Sequence, residues 1–405
     1  VAGKHGISER LGILPRETEQ KLSSKQVLWF HAASVGEIKL LSSIISRVKK
    51  KKPDYSIVVS TLTRAGKKEG QRSLKLADLF FYLPVDFPFL VRKIIRKINP
   101  RALIVVETEI WPNLIREVNK YGVRIALING RFSPKSFQKY LRFKRFFSSV
   151  LSFYDLFCMR TDEDSKRLLL LGANPAKVEV VGNLKYDITV SDQMSINPDN
   201  LKDDLGIPKT SKVVVAGSTE QGEERMVLDV FKKLKQEIPD LFLILAPRHL
   251  NRLKQVENEL IQSGLKYQRI TQMEKKSPSK ANCDVILVDT IGQLLSLYSI
   301  AEVAFVGGSL IPFGGHNILE PAMHSIPVLF GPHMDHFKES SELLIKSGGG
   351  VMVKDSGELL LKITELLQDE DKRAEMGKMA LKFIKSQQGS SDKTVDLILN
   401  LIKEK

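Results

Sequence analysis

At 405 residues the chain is longer than one ordinary hydrophobic core supports, which argues for two domains, and its 42% apolar content is that of a globular protein. Its two cysteines, Cys158 and Cys283, both lie in apolar runs, which excludes a disulfide scaffold or a cysteine metal set and points to buried thiols in a reducing compartment. The formal charge of +15 asks for an anionic partner (nucleic acid, an anionic membrane surface or a phosphorylated substrate) unless solvated lysines account for it; no run reaches the ~20 apolar residues of a bilayer span.

Short apolar runs at 27–30, 57–60, 103–106, 125–128 and 156–159 alternate with helical patterns, and the alternation resumes at 213–216, 241–245, 285–288, 303–306 and 328–330. Continuous apolar strands separated by helices predict parallel sheets covered on both faces, so the fold class is α/β with two Rossmann-like domains. The expected boundaries are 1–190 for the first domain and 209–370 for the second, joined by a polar linker over 191–208. The charged stretch 371–405 is expected to be a helix crossing back to the first domain. The chain begins Val1-Ala2-Gly3-Lys4 without a methionine, so a segment upstream is expected.

Parallel sheets place ligands beyond the C-terminal ends of their strands, so the residues following each run are the candidates. After 27–30 come His31-Ala32-Ala33-Ser34-Val35-Gly36-Glu37, with Glu37 near a helix start. The helix dipole is expected to keep it ionised and facing the cleft with a free lone pair, which suits a general base; a first-turn glutamate that only complements the dipole fits the spacing equally. After 103–106, Glu107 is the carboxylate nearer the strand end, while Glu109 and Asn113 can tie down the loop. After 178–181, Lys185 stands at the domain junction, either meeting the charge of a leaving group or simply solvated.

From 135 to 157 basic residues (Lys135, Lys139, Arg142, Lys144, Arg145) interleave with aromatic ones (Phe137, Tyr140, Phe143, Phe146, Phe147, Phe153, Tyr154), and 89–97 repeats the theme. Such a segment suits an anionic membrane surface or a phosphorylated lipid, or a core helix with wet lysines.

In the second domain, Ser218 and Thr219 precede a helix and read as an anion cradle, although the Gly-Lys-Ser/Thr of a Walker loop is missing. Pro247 and Arg248 follow 241–245, where the arginine fork suits phosphate; the turn Ile291-Gly292-Gln293 offers backbone groups to a base edge. The run from Gly307 through His316, Asn317, Ile318, Leu319 and Glu320 to Pro321 is the most informative segment. Its glycines let backbone N–H groups approach an anion, His316 and Asn317 can donate, and Glu320 can bridge two sugar hydroxyls. This reads as a nucleotide-sugar donor site; the bland alternative is a tight turn with Asn317 capping a helix. The acidic triplets 162–164 and 369–371 open helical patterns and are better explained as caps, so neither a catalytic metal nor a cofactor is expected.

HAASVGE (31–37), ETEIWPNL (107–114), NGRFSPKS (129–136), GNLKYD (182–187), GSTEQGEE (217–224), PRH (247–249), DTIGQL (289–294) and GGSLIPFGGHNILEP (307–321) occur in that order. Over nearly its whole length the chain thereby resembles the Kdo transferases, which move 3-deoxy-D-manno-oct-2-ulosonic acid (Kdo) from CMP-Kdo to the lipid A precursor, lipid IVA, in lipopolysaccharide core biosynthesis. The resemblance implies a GT-B fold, with two Rossmann-like domains facing each other across a cleft, and metal-independent inversion at the anomeric carbon. It implies Glu37 as general base and transition-state roles for Glu107 and Lys185. It places CMP on Pro247, Arg248, Ile291, Gly292, Gln293, Asn317, Ile318, Leu319 and Glu320; Ser218 and Thr219 are added by the cradle argument alone.

The implied setting is the cytoplasmic face of the bacterial inner membrane, although the family's usual N-terminal anchor is not read in this chain. Glu220 stands where the family often has His, Gln293 where it often has Glu, and His336 where it often has Asn. Another GT-B transferase or a nucleotide-sugar epimerase is the runner-up. A basic nucleic-acid-binding protein is disfavoured because no recognition motif occurs and the cations sit beside aromatics.

Overall fold

The computed structural model describes residues 6–15, 18, 22, 26–188, 198–273 and 282–403. The chain divides into two compact units, one of Val1–Ile188 with Gln387–Lys405 and one of Thr189–Ser386. Among the described residues no helix is long and apolar enough to cross a membrane.

The first unit holds seven strands: β1 (Val27–His31), β2 (Ser56–Thr61), β3 (Leu79–Tyr82), β4 (Pro100–Val106), β5 (Arg124–Gly130), β6 (Leu156–Met159) and β7 (Val178–Val180). Every pairing is parallel, in the order β3-β2-β1-β4-β5-β6-β7. Alternate residues point to opposite faces, so each continuous apolar strand feeds two cores. Trp29, Val58, Leu103, Val105 and Ile125 enter one; Leu28, Phe30, Ile57, Ile104 and Ala126 enter the other. Strand order reverses direction between β1 and β4, and the crevice beyond such a reversal is where open α/β sheets bind ligands.

The second unit repeats the plan with β8 (Val213–Thr219), β9 (Phe242–Pro247), β10 (Tyr267–Arg269), β11 (Val285–Leu287), β12 (Val303–Val306), β13 (Val328–Phe330) and β14 (Gly350–Met352). The order is β10-β11-β9-β8-β12-β13-β14, again all parallel, with its reversal between β8 and β12.

Three strands had no counterpart in the sequence reading: β3, β10 and β14. Each is a short edge strand covered on one side only, and β10 (Tyr-Gln-Arg) is half-buried throughout, so no continuous apolar run marks it. Of the expected linker, 191–197 lies outside the described residues; Pro198–Asp204 is a helix, and Leu205 and Ile207 enter the core of the second unit. The start of the chain, 1–5, lies outside as well.

The C-terminal stretch forms two helices, Glu370–Gln387 and Ser390–Lys403, parted at Gly389 with φ 98°. The second of them buries Val395, Ile398, Leu399 and Ile402 in the core beneath the helix Val35–Lys51 of the first unit. Its start is capped by the Asp187 carboxylate, which accepts from Gly389 N at 2.8 Å and Ser391 N at 2.6 Å.

The segment 135–157 becomes the helices Pro134–Arg142 and Lys144–Leu151. Its aromatics divide: Phe137 and Tyr154 are core residues, whereas Phe143 and Phe146 are exposed among exposed cations. The Lys135 side chain lies outside the described residues.

Candidate active site

Ser34 and Glu37 build the turn that follows β1. Ser34 is the N-cap of the helix Val35–Lys51 and accepts from Glu37 N. The Glu37 carboxylate reaches back, accepting from Ala33 N at 2.7 Å and from Ser34 Oγ at 2.8 Å. This is a variant of the capping box, whose signature is the Ser-x-x-Glu spacing, with the carboxylate on the N–H of Ala33, the residue before the cap. The expectation of an ionised Glu37 with a carboxylate turned out of its own lobe needs correction. The residue is 9% exposed, and burial outweighs its hydrogen bonds and helix position, pushing its pKa up to about 7; the nearby Glu107 and Glu109 push the same way. Each oxygen keeps a second lone pair. His31, at the end of β1, is fully buried against Ser60 Oγ at 3.0 Å, and burial pushes its pKa down to about 4, so it is neutral at physiological pH.

Glu107 follows β4, the neighbour of β1 across the reversal. Its φ is 58°, a left-handed conformation that bulky L-residues rarely adopt, and its N–H donates to Ile128 O at 2.9 Å. Beside it, at the end of β5, buried Asn129 has φ 53°. Its Nδ2 donates to Glu107 Oε1 at 3.4 Å and its Oδ1 accepts from Leu184 N at 3.1 Å. Lys185 opens the short helix Lys185–Ile188, with its N–H on Asn183 Oδ1. Glu109 accepts from Trp111 Nε1 at 3.0 Å, and burial raises its pKa. Asn113 does tie down the loop, through Asp86, which accepts from the N–H groups of Asn113 and Leu114.

In the second unit the glycine run does wrap an anion, and the anion is the protein's own. Glu223, the first residue of the helix Glu223–Glu237, accepts from the N–H groups of Gly308 (2.5 Å), Ser309 (2.9 Å), Leu310 (2.9 Å) and Glu220 (3.0 Å). A Cβ on Gly307 would fall 2.6 Å from Thr219 Cα and 2.8 Å from the Glu223 carboxylate, so glycine is what permits the approach. The Ser218–Thr219 cradle is corrected for the same reason. Thr219 is fully buried with its hydroxyl given to Glu224 Oε1, Ser218 is strained at φ 56°, and the helix start is filled by Glu220, Glu223 and Glu224.

The cations gather next to this carboxylate cluster. Arg248 is exposed at the end of β9, its N–H on Thr219 O, while His249 Nε2 and His316 Nε2 approach one oxygen of Glu220 at 3.4 and 3.3 Å. Burial and the positive field of Arg248 and His249 hold the pKa of His316 below its usual value, against Glu220. Asn317 stands just before the helix Leu319–Met323 and closes a local turn by accepting from Leu319 N at 3.2 Å, and it donates to Glu320 Oε1 at 3.0 Å. Ile318 and Leu319 are core side chains, which leaves their backbones for any ligand, and Pro247 is likewise buried. Ile291 is 80% exposed, Gly292 has φ 98°, and Gln293 accepts from Thr290 Oγ1 at 2.7 Å. These residues all lie at the C-terminal ends of the neighbouring strands β11, β9, β8 and β12.

The sequence model described as 3-deoxy-D-manno-octulosonic-acid transferase (kdotransferase) matches residues 5–188. The 3-deoxy-D-manno-octulosonic acid transferase of Haemophilus influenzae is 31% identical over 92% of this chain and 86% of its own. The chain belongs to the Kdo transferase family. A bifunctional glycosyltransferase/methyltransferase of Fusobacterium nucleatum is 34% identical over 95% of this Kdo transferase chain, which spans 59% of that longer protein. Among solved structures, the UDP-GlcNAc 2-epimerase of Neisseria meningitidis aligns with a TM-score of 0.64 at 15% identity, covering 93% of this chain and all of that one. That likeness concerns the fold alone: the two parallel sheets are those of GT-B glycosyltransferases and related epimerases.

Within this Kdo transferase the structure brings Glu37, Glu107 and Glu109 close enough to interact and ties Glu107 to the Lys185 loop through Asn129. Sequence reasoning passed over Asn129 and Glu223. Asn129 had a signal: an Asn-Gly pair at a strand end marks a residue that tolerates the left-handed region. Glu223 carried only a first-turn position on its helix.

Proposed function

We propose that this Kdo transferase moves Kdo from CMP-Kdo to a lipid A precursor with inversion. The observation that carries the reading is Glu37: a carboxylate at the reversal between β1 and β4, with its pKa pushed up to about 7 and two further carboxylates beside it. A base poised near the working pH removes a proton from an acceptor hydroxyl most effectively. The resulting oxygen attacks the anomeric carbon of Kdo from the face opposite CMP, and the Glu107 carboxylate meets the positive charge that develops on the sugar ring. Arg248 meets the charge of departing CMP, with Lys185 in the same role. The exposed backbone turn at Gly292 and the Asn317–Glu320 pair are offered to the nucleotide and sugar.

The test incubates the purified chain with CMP-Kdo, generated in place, and lipid A precursor, and weighs the products. A mass increase of one or more Kdo units is expected, and an unchanged acceptor overturns the reading. CMP rather than UDP should raise the melting temperature. Glu37→Gln should keep that CMP shift and lose transfer by ~10²-fold or more. Equal transfer by parent and variant removes Glu37 from the mechanism.

We also propose that the acceptor is met at an anionic membrane surface. Phe143 and Phe146 project among exposed Lys139, Arg142, Lys144 and Arg145, an arrangement that favours anionic lipid. Co-sedimentation with vesicles containing phosphatidylglycerol should fall when both phenylalanines become serine and when salt is raised; binding equal to that of neutral vesicles refutes the surface.

A further inference from the structure

β4 and β5 run in register, with Val106 opposite Ile128, so the next pair along the sheet is Glu107 and Asn129. Both residues are left-handed, which L-side chains adopt at a cost of roughly 1 kcal/mol or more and which clusters where function demands a particular turn. The Asn129 side chain is wholly buried and divides its amide between two partners: the nitrogen goes to the Glu107 carboxylate and the oxygen to the backbone N–H of Leu184. Leu184, itself buried, immediately precedes Lys185. Only a short planar group with a donor at one end and an acceptor at the other makes both bonds. Aspartate keeps the Leu184 bond and sets a second carboxylate against Glu107; glycine keeps the backbone conformation and makes neither.

We infer that Asn129 is a positioning residue of the transfer reaction, fixing the carboxylate of Glu107 relative to the loop that delivers Lys185. The inference rests on the proposed roles of Glu107 and Lys185. Without the amide the two groups are no longer held to one spacing, and a misplacement of about 1 Å costs on the order of 10²-fold in rate.

The experiment compares Asn129→Asp and Asn129→Gly with the parent in Kdo transfer from CMP-Kdo, varying donor concentration and pH. Both variants should lose ~10- to 100-fold in kcat with the KM for CMP-Kdo changed less than twofold, and both should keep the parent's CMP-dependent rise in melting temperature. The acid limb of the kcat profile, set by Glu37, should move to higher pH in Asn129→Asp, because the new carboxylate adds negative charge to the cluster of Glu37, Glu107 and Glu109 and disfavours ionisation of the base, and should stay in place in Asn129→Gly. Glu37 and Glu109, the other carboxylates at the site, are the same in all three proteins. Should the aspartate variant fail to fold, the glycine variant decides through the split between kcat and KM.

A parent-like kcat in either variant overturns the inference and leaves the transferase reading standing. So does a loss that appears in KM alone, or an Asn129→Asp penalty that is the same at every pH. A parent that transfers no Kdo overturns both.

Discussion

At the scale of single residues, Glu37 is where two tendencies oppose each other. Its place in the first turn and its bonds from Ala33 and Ser34 favour the carboxylate, while burial disfavours it, and burial wins. A pKa raised from 4.5 to about 7 on folding means that the stability contributed by Glu37 is complete below pH 4.5 and is lost as pH rises through 7. We therefore expect Glu37→Gln to gain stability relative to the parent between pH 5 and pH 8, by up to about 3 kcal/mol, in urea unfolding at the two pH values. A difference that does not vary with pH refutes the raised pKa. Transfer should rise over the same interval, as the base ionises, with a midpoint near pH 7. The Ser-x-x-Glu spacing made the cap legible in the sequence. The degree of burial was not, because it depends on Ala33 and the strand neighbours that enclose the carboxylate.

The turns after β8 and β12 act as one element, stapled by Glu223. Removing its carboxylate leaves four backbone N–H groups in a buried place without an acceptor. Glu223→Ala should cost about 3–5 kcal/mol, the range for stranding the partners of a buried charge, and lower the melting temperature of the second unit. It should also weaken CMP protection, because Arg248 is hydrogen-bonded to one of these turns through Thr219 O and the other opens the 307–321 run; a variant with parent stability and parent CMP shift refutes the staple. The five central strands around these turns, β8, β9, β11, β12 and β13, are apolar runs bounded by turn residues, and for that reason they could be read directly. The glycine run could likewise be read as a shell for an anion. Which anion fills it could not, since Glu223 lies 85 residues from Gly308 and only the packing of β8 against β12 brings them together.

At the scale of the whole molecule, the first unit is assembled from both ends of the chain. The helix Ser390–Lys403 supplies Val395, Ile398, Leu399 and Ile402 to its core, and Asp187 holds the start of that helix. Truncation after Ser386 removes four buried apolar side chains at about 2 kcal/mol or more each, which exceeds much of an ordinary domain's stability. We expect the first unit to lose its cooperative melting transition while the second keeps its own, as read by calorimetry. Asp187→Ala, which costs only the cap, should lower the first transition by about 1–2 kcal/mol. The charged pattern of 371–405 announced helix but not its division, which depends on Gly389 entering the left-handed region at a Gln-Gly step.

The same construction bears on biosynthesis. Residues 27–188 leave the ribosome well before 390–403, yet the hydrophobic face that β5 and β6 share with the helix Val35–Lys51 stays uncovered until that later segment has been made, because Val395 and its neighbours are its lid. The second unit, by contrast, draws on one continuous stretch and is free to settle as it emerges. The first unit is thus completed only after the second has been made, and for the time it takes to synthesise some two hundred residues a nascent chain carries an open apolar groove.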